Sequence, residues 1–298
     1  MTDVKEPVQN KTMHKTSHTS ALPQMDEQQF AQWCNLLEEK TGMRLLDNRM
    51  SFLVTNLGMR MRELGIGDYQ QYYDHIQSGQ SGKVEWDQLI HHLTVHETRF
   101  MRHAGTLALI EKMCLPQTPA ANRAKPLTIN VWSVGCSTGE EPYSIAMAID
   151  CHLMKLQYEY YLGVIASDIS RSALAVGRKG IYQARKLKNM RPSWKDIYFD
   201  KLSEDKYQVS SELRQRVCFN QLNILDIGKT PIGNMDIIVC QNLLIYYDKN
   251  RRQEIVNTLV DYLAPGGILI LAVGEILNWN HPDMERITFP NTLAYRHK

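Results

Sequence analysis

Near residue 120 the hydrophobic rhythm of this chain changes from a period near four to a period near two, and that switch limits the possible folds more than any single motif. Between residues 26 and 103 apolar positions recur at helical spacing. Phe30, Trp33, Cys34 and Leu37 fall at i, i+3, i+4 and i+7, and so do Met50, Leu53, Val54 and Leu57, continued by Met61 and Leu64. Tyr69, Tyr72, Tyr73 and Ile76 make a third stripe, and Trp86, Leu89, Ile90 and Leu93 a fourth. Glycine-containing breaks separate the stripes at Gly42, at Gly65 and Gly67, and at residues 78–82. Four amphipathic stripes predict a small helical bundle in which the aromatics and methionines are core rather than a cofactor box.

Past a Pro- and Ala-containing connector, residues 116–126, short β-rich runs alternate with helical ones. Strands are expected at 128–134, 160–166, 216–222, 235–240 and 268–273. Helices are expected at 142–153, 170–179 and 248–263, the last ending at Ala264-Pro265-Gly266-Gly267. Such alternation predicts an α/β fold with a parallel, doubly wound sheet. Residues 285–289 and 292–296 read as strands that add an antiparallel edge. The expected organisation is a disordered polar tail at 1–23, a helical domain at 24–115, a linker at 116–126 and an α/β domain at 127–298.

Composition excludes several classes. With 43% apolar residues in 298, the chain can build a sizeable core. It has no apolar run of membrane-spanning length, and its start lacks the apolar stretch of a secretory signal. Six scattered cysteines without a C-x-x-C pair fit a reducing cytosol better than a disulfide framework or a zinc ribbon. The net charge of +2 gives no reason to expect nucleic acid. Residues 171–216 nevertheless carry twelve Lys/Arg against five Asp/Glu. That stretch reads either as a solvated face or as a docking surface for an acidic partner.

Four constellations carry chemistry. Val134-Gly135-Cys136-Ser137-Thr138-Gly139-Glu140-Glu141-Pro142 follows the first strand, where an open α/β sheet binds ligands. Gly135 and Gly139 permit close backbone approach. The run is neither G-x-G-x-x-G nor a P-loop, and its acids suit a cationic or hydroxyl-bearing ligand better than a pyrophosphate. Asp168, at the end of the second strand, can accept from both hydroxyls of a ribose, or simply cap the next helix. Cys240-Gln241-Asn242-Leu243-Leu244-Ile245-Tyr246-Tyr247-Asp248 offers the Asn242 amide and the Tyr246 phenol at the mouth of the sheet. His96-Glu97-Thr98-Arg99-Phe100-Met101-Arg102 closes the helical part. A metal is not expected there: His91, His92, His96 and His103 lack a Cys or a paired carboxylate to complete a ligand set.

Taken together, these segments resemble the chemotaxis receptor methyltransferases of the CheR type. The pieces that carry the likeness are TGMRLLDNR, LGMRMRELGI, YQQYY, HETRFMR, VWSVGCSTGEEPYSIAM, ASDISRSALAVGRKGIY, IVCQNLLIYYDK and LAPGGILILAVGE, in that order. The resemblance implies an N-terminal all-α domain and a class I S-adenosylmethionine (SAM)-dependent methyltransferase domain with a small β insertion at about 180–217. It implies a protein-glutamate O-methyltransferase, with SAM as methyl donor, S-adenosylhomocysteine as product and no metal. Its substrate would be the acidic helical methylation region in the cytoplasmic part of a methyl-accepting chemoreceptor, and one branch it suggests serves type IV pili and twitching motility. The protein would be a cytoplasmic monomer at receptor arrays on the inner membrane. By resemblance, His96 (Asn in the family), Thr98 and Arg102 line the cofactor pocket, Glu141 meets the methionine end, and Asp168 the ribose. Asn223 with Ile224 lies near the adenine, and Asn242 with Leu243 follows the fourth strand. Arg102 and Tyr246 match the family's active-site pair.

The implied reaction is an in-line displacement by a glutamate carboxylate. That group is already an anion at neutral pH, its ordinary pKa being about 4.3, so no general base is required. The basic stretch at 171–216, with Arg60 and Arg62, would meet the acidic partner. Family members tethered to a receptor tail grip it with a glycine-bearing β loop; here the matching FDKLSEDKYQVSSELRQRV has no glycine, and no tether is expected. Two alternatives stand beside this reading. A nucleic-acid methyltransferase would carry D/N-P-P-Y/F where this chain has Gln241-Asn242-Leu243-Leu244. A SAM-binding scaffold that has lost catalysis has His96 as its support.

Overall fold

The computed structural model describes residues 24–45, 47–94, 97–118 and 125–298; the expected tail, His96 and most of the expected linker lie outside the described residues. Each apolar stripe becomes a helix: α1 (Glu27–Thr41), α2 (Met50–Leu64), α3 (Tyr69–Gln77) and α4 (Gly79–Leu93). Asp26 starts α1 with a capping box, its Oδ1 accepting from the Gln29 N–H at 2.7 Å while the Gln29 side chain accepts from the Asp26 N–H at 3.2 Å. The break expected at 78–82 shrinks to Ser78. Gly82 belongs to α4, and a Cβ there would lie 2.5 Å from the His75 carbonyl oxygen, so its missing side chain lets α4 begin directly against the end of α3.

Arg60 is buried, which overturns its expected role at a partner surface. Its Nε and Nη2 donate to the two carboxylate oxygens of Glu85 at 2.9 and 2.6 Å, and the Tyr72 hydroxyl donates to the same carboxylate at 2.7 Å. The triad ties α2, α3 and α4 together. Arg62 is exposed.

Then come α5 (Ala104–Leu109), β1 (Leu127–Val134), α6 (Glu140–Lys155), β2 (Tyr160–Asp168), α7 (Arg171–Lys179), β3 (Ile181–Gln183), α8 (Pro192–Tyr198), β4 (Phe199–Lys201), β5 (Lys206–Val209), α9 (Ser211–Gln215), β6 (Val217–Gln221), β7 (Met235–Cys240), α10 (Lys249–Val260), β8 (Leu263–Leu271), β9 (Met284–Ile287) and β10 (Leu293–His297). The main sheet has the order β6-β2-β1-β7-β8-β10-β9, and β3, β5 and β4 form a separate antiparallel sheet within the expected insertion. The strands from β6 to β8 run parallel, and β10 runs antiparallel between β8 and β9, so the outermost strand is β9 rather than the last one. Another expectation is corrected at residues 261–267. α10 stops at Val260, and β8 already pairs Leu263 with Met235; an irregularity before the Ile237–Ile268 pair absorbs the Ala-Pro-Gly-Gly run.

Side chains alternate across the sheet with period two. Trp132, Ile238, Cys240, Leu269 and Leu271 face one core, shared with α1–α4 and α10. Val131, Ile237, Val239, Ile268 and Ile270 face the other, shared with α5, α6 and the insertion. The helical bundle is therefore packed into the same core as one face of the sheet. Buried Asp150 of α6 fixes the insertion: it accepts from Tyr198 of α8 at 2.8 Å and from Tyr160 of β2, and pairs with Arg216 at 3.4 Å. Among the described residues no helix is long and apolar enough to cross a membrane.

Candidate active site

The strand order reverses between β1 and β7, and an open sheet leaves a crevice at the carboxyl ends of such a pair. Three connections meet there. After β1, the N–H groups of Gly135 and Cys136 donate to the Ser167 carbonyl at 2.8 and 2.9 Å. Gly135 has φ 78°, and a Cβ on it would press on the Leu243 side chain at 3.2 Å, so glycine keeps this wall open. Asp168, at the end of β2, accepts from the Ser137 N–H at 2.8 Å and the Ser170 N–H at 2.9 Å. Burial raises its pKa, and those two bonds pull it partway back. Glu141, in the first turn of α6, accepts from the Ser133 hydroxyl at 2.8 Å. Burial pushes Glu141 up to about 7, with that bond and the Arg102 charge opposing.

The second connection is residues 97–103, which the sequence leaves as a helix end. The Met101 N–H donates to Ser144 Oγ at 3.0 Å, and Arg102 Nη1 to the Glu97 carbonyl at 2.7 Å. Lys186 of the insertion reaches across to the Thr98 carbonyl at 2.6 Å and to buried Glu140 at 2.9 Å. Phe100 is buried edge-on to Tyr182 and Phe199, with ring centroids at 4.9 and 5.3 Å. His103 Nε2 lies 2.8 Å from Asn242 Oδ1.

The third is the turn after β7. Asn242, Ser137 and Met101 all take left-handed backbone, with φ 61°, 50° and 57°. Such conformations are uncommon outside glycine and cluster at functional sites. The Arg44 N–H donates to the Tyr246 carbonyl at 2.9 Å, and Arg252 donates to the carbonyls of Tyr247 and Glu275 at 2.7 and 2.8 Å. Glu275 is buried behind this turn, and neither of its carboxylate oxygens has a hydrogen-bond partner of normal geometry. Burial pushes it up to about 7, while the N–H groups of Ile245, Ala272 and Asn242 draw it down.

Two adjoining cavities of about 600 Å³ each result, sharing Gly135, Ser137 and Asn242. The first holds Thr98, Arg99, Arg102, His103, Glu141 and Gln241. The second holds Asp168, Ile224, Leu243 and Tyr246. A third, of about 1090 Å³, lies beyond Tyr246 and is lined by Arg44, Arg49, Lys249 and Arg252. Arg102 and Tyr246 thus sit in neighbouring cavities. The Asn223 amide donates to the Lys40 carbonyl at 2.7 Å and its Oδ1 caps the following turn; it lines neither of these two cavities, while its neighbour Ile224 lines the second.

Residues 96–292 match the SAM binding domain of the CheR methyltransferases, and residues 28–94 match that family's all-alpha domain. The chain belongs to the CheR methyltransferase family. The chemotaxis protein methyltransferase of Escherichia coli K12 is 34% identical over 93% of this chain and 95% of its own length. Chemotaxis protein methyltransferase 2 of Vibrio cholerae serotype O1 is 32% identical over 84% and 85%. Chemotaxis protein methyltransferase 1 of Pseudomonas aeruginosa is 31% identical over 83% and 89%.

The fold is accordingly that of a class I SAM-dependent methyltransferase with an all-α N-terminal domain. The cavities of this CheR relative suit such a ligand. Glu141 is a desolvated carboxylate that a cation would stabilise, and Asp168 keeps lone pairs for hydroxyls. Sequence reasoning missed His103, Gln241, Glu275 and the cations around the third cavity. Glu275 was open to the argument that found Asp168, since it lies just past the end of a buried strand; the others are brought in by chain folding alone.

Proposed function

We propose that this protein transfers the methyl group of SAM to glutamate side chains in the cytoplasmic region of a methyl-accepting chemoreceptor, forming methyl esters. The layout of charge in the cleft carries this reading. Acids lie deep, Glu141 and Asp168, where a cationic nucleoside would rest; at the mouths bases outnumber acids, Arg99 and Arg102 against Glu97 on one side and Arg44, Arg49 and Lys249 against Asp248 on the other. That polarity suits a cationic donor and an anionic acceptor. The bound cofactor would supply an activated methyl group. Glu141 would receive its ammonium, Asp168 its ribose hydroxyls, and Ile224 and Leu243 would flank the adenine end.

Arg102 would hold the attacking carboxylate and Tyr246 would orient it. An ionised carboxylate needs no base, and the ring of His103, which lines the first cavity, is already engaged with Asn242. Catalysis then rests on alignment, which can supply on the order of 7–11 kcal/mol. The acidic partner would dock over the third cavity. Within the basic stretch, Arg178, Lys186, Arg214 and Arg216 are committed to internal bonds, whereas Arg44, Arg49 and Lys249 surround the entry beside Tyr246. The turn between β4 and β5 lacks glycine, which favours a protein that does not grip a receptor tail. In this reading it is a cytoplasmic monomer working without a metal at receptor arrays, in chemotaxis or in a type IV pilus pathway.

The test is methyl transfer to purified receptor cytoplasmic fragments, located on individual side chains by mass spectrometry. The wild-type chain should modify glutamates, and Arg102→Ala should slow the reaction on the order of 10²-fold. Near-wild-type turnover by the variant would reject the assignment of Arg102, and methyl groups on another residue type would reject the substrate.

A further inference from the structure

His103 joins residues 97–103 to the turn after β7, through the 2.8 Å contact between its Nε2 and Oδ1 of Asn242. A carboxamide oxygen only accepts, so Nε2 carries the hydrogen in this contact. The ring is half-buried, and burial lowers its pKa, the Asn242 bond opposing and the Arg102 and Arg99 charges adding to the effect, which favours the neutral ring. A neutral imidazole has one N–H, and that N–H is spent on Asn242. The amide of Asn242 has two chemically opposite ends. With the oxygen taken, the NH₂ end turns away from His103. Asn242 lines both of the adjoining cavities, and its backbone sits in the left-handed region at φ 61°, which restricts where its side chain can point.

We infer that His103 is a positioning residue that fixes the amide of Asn242 so that the cleft meets a hydrogen-bond donor there, matched to a carboxylate. This deepens the function proposed above and rests on it. It gives the first cavity a complementary pair for a zwitterion: Glu141 for the cationic group, and Asn242 beside Arg102 for the anionic one. The carboxylate can come from the amino-acid end of the cofactor or from the glutamate being methylated. Each would accept from the same NH₂ group.

Calorimetry on the full chain separates the sources. S-adenosylhomocysteine carries the amino-acid carboxylate; 5′-methylthioadenosine does not. If the cofactor supplies the acceptor, His103→Ala should weaken S-adenosylhomocysteine binding on the order of tenfold and leave methylthioadenosine binding unchanged. If the methylated glutamate supplies it, both nucleosides should bind as before, while KM for the receptor fragment rises or kcat falls. In either case His103→Gln, whose amide nitrogen reaches the place of Nε2, should recover most of the loss. Asn242→Asp should behave at least as badly as His103→Ala, because it keeps an acceptor for His103 but has no donor for the cleft.

Tighter or unchanged binding and kinetics in Asn242→Asp would overturn the inference, since an oxygen facing the cleft would then be the native arrangement. So would a His103→Gln variant that is folded, by its thermal unfolding, yet no better than His103→Ala. Failure of the wild-type chain to bind S-adenosylhomocysteine would sink the function and this inference together; nucleoside binding and receptor-fragment kinetics that Asn242→Asp both leaves intact would sink the inference alone.

Discussion

Desolvation holds the part-buried Glu141 and the buried Glu275 both up to about 7, and the difference between them shows how single residues divide the work of this site. Glu141 opens onto a cavity and can be rescued by a bound cation; Glu275 is sealed behind the turn that carries Asn242 and Tyr246. An acid with a raised pKa binds its proton more tightly in the free protein than in an ion pair. Binding an ammonium at Glu141 must therefore expel a proton below about pH 7. SAM affinity measured by calorimetry should fall as the pH drops through 7, approaching tenfold per unit. It should fall again above about 8, where an α-amino group loses its own proton. Glu141→Gln should bind weakly and lose the acid limb. Affinity that is flat from pH 6 to 8 in the wild-type chain would contradict this role. Glu141 and Asp168 are legible in the sequence because they sit at strand ends within recognisable runs. The His103–Asn242 contact is not, because it joins residues 139 positions apart.

Among the elements, the insertion does more than decorate the sheet. It reaches residues 97–103 through Lys186, Tyr182 and Phe199 and is itself pinned by Asp150. Lys186 neutralises Glu140, whose side chain is fully buried, and removing one member of such a pair strands the other charge. Lys186→Met should cost about 3 kcal/mol in urea unfolding, less if water reaches the vacated site. Adding Glu140→Gln should recover part of that. A double variant no more stable than the single one would mean that the pair is not what braces this segment. The long helices and the strands of the main sheet are legible from periodicity; the short α5, α8 and α9 and the strands β3–β5 are not. The two differences of extent, at residues 78–82 and 261–267, share a cause: glycine and proline there do not break an element. In the fold, Gly82 serves close helix contact, and the Ala-Pro-Gly-Gly run is absorbed within a strand. Arg60 shows the same limit for charge, since nothing in its helical spacing tells that Glu85 will bury it.

At the scale of the whole molecule, the bundle and one face of the sheet share a single core, and the Arg44 N–H ties the bundle to the Tyr246 carbonyl. The cleft is thus built by both parts of the chain, acidic at its floor and with bases outnumbering acids at its mouths. A change of rhythm near residue 120 suggests two domains, but periodicity cannot reveal that their apolar faces merge. The central claim is carboxyl methylation. It is tested most directly by incubating the purified chain with methyl-labelled SAM and membranes bearing the organism's chemoreceptors, then treating the product with base. Methyl esters hydrolyse in base, whereas methylated amines and amides do not, so the account predicts label released as methanol. Label that stays on the protein after base, or no transfer by a chain that binds SAM, would contradict it.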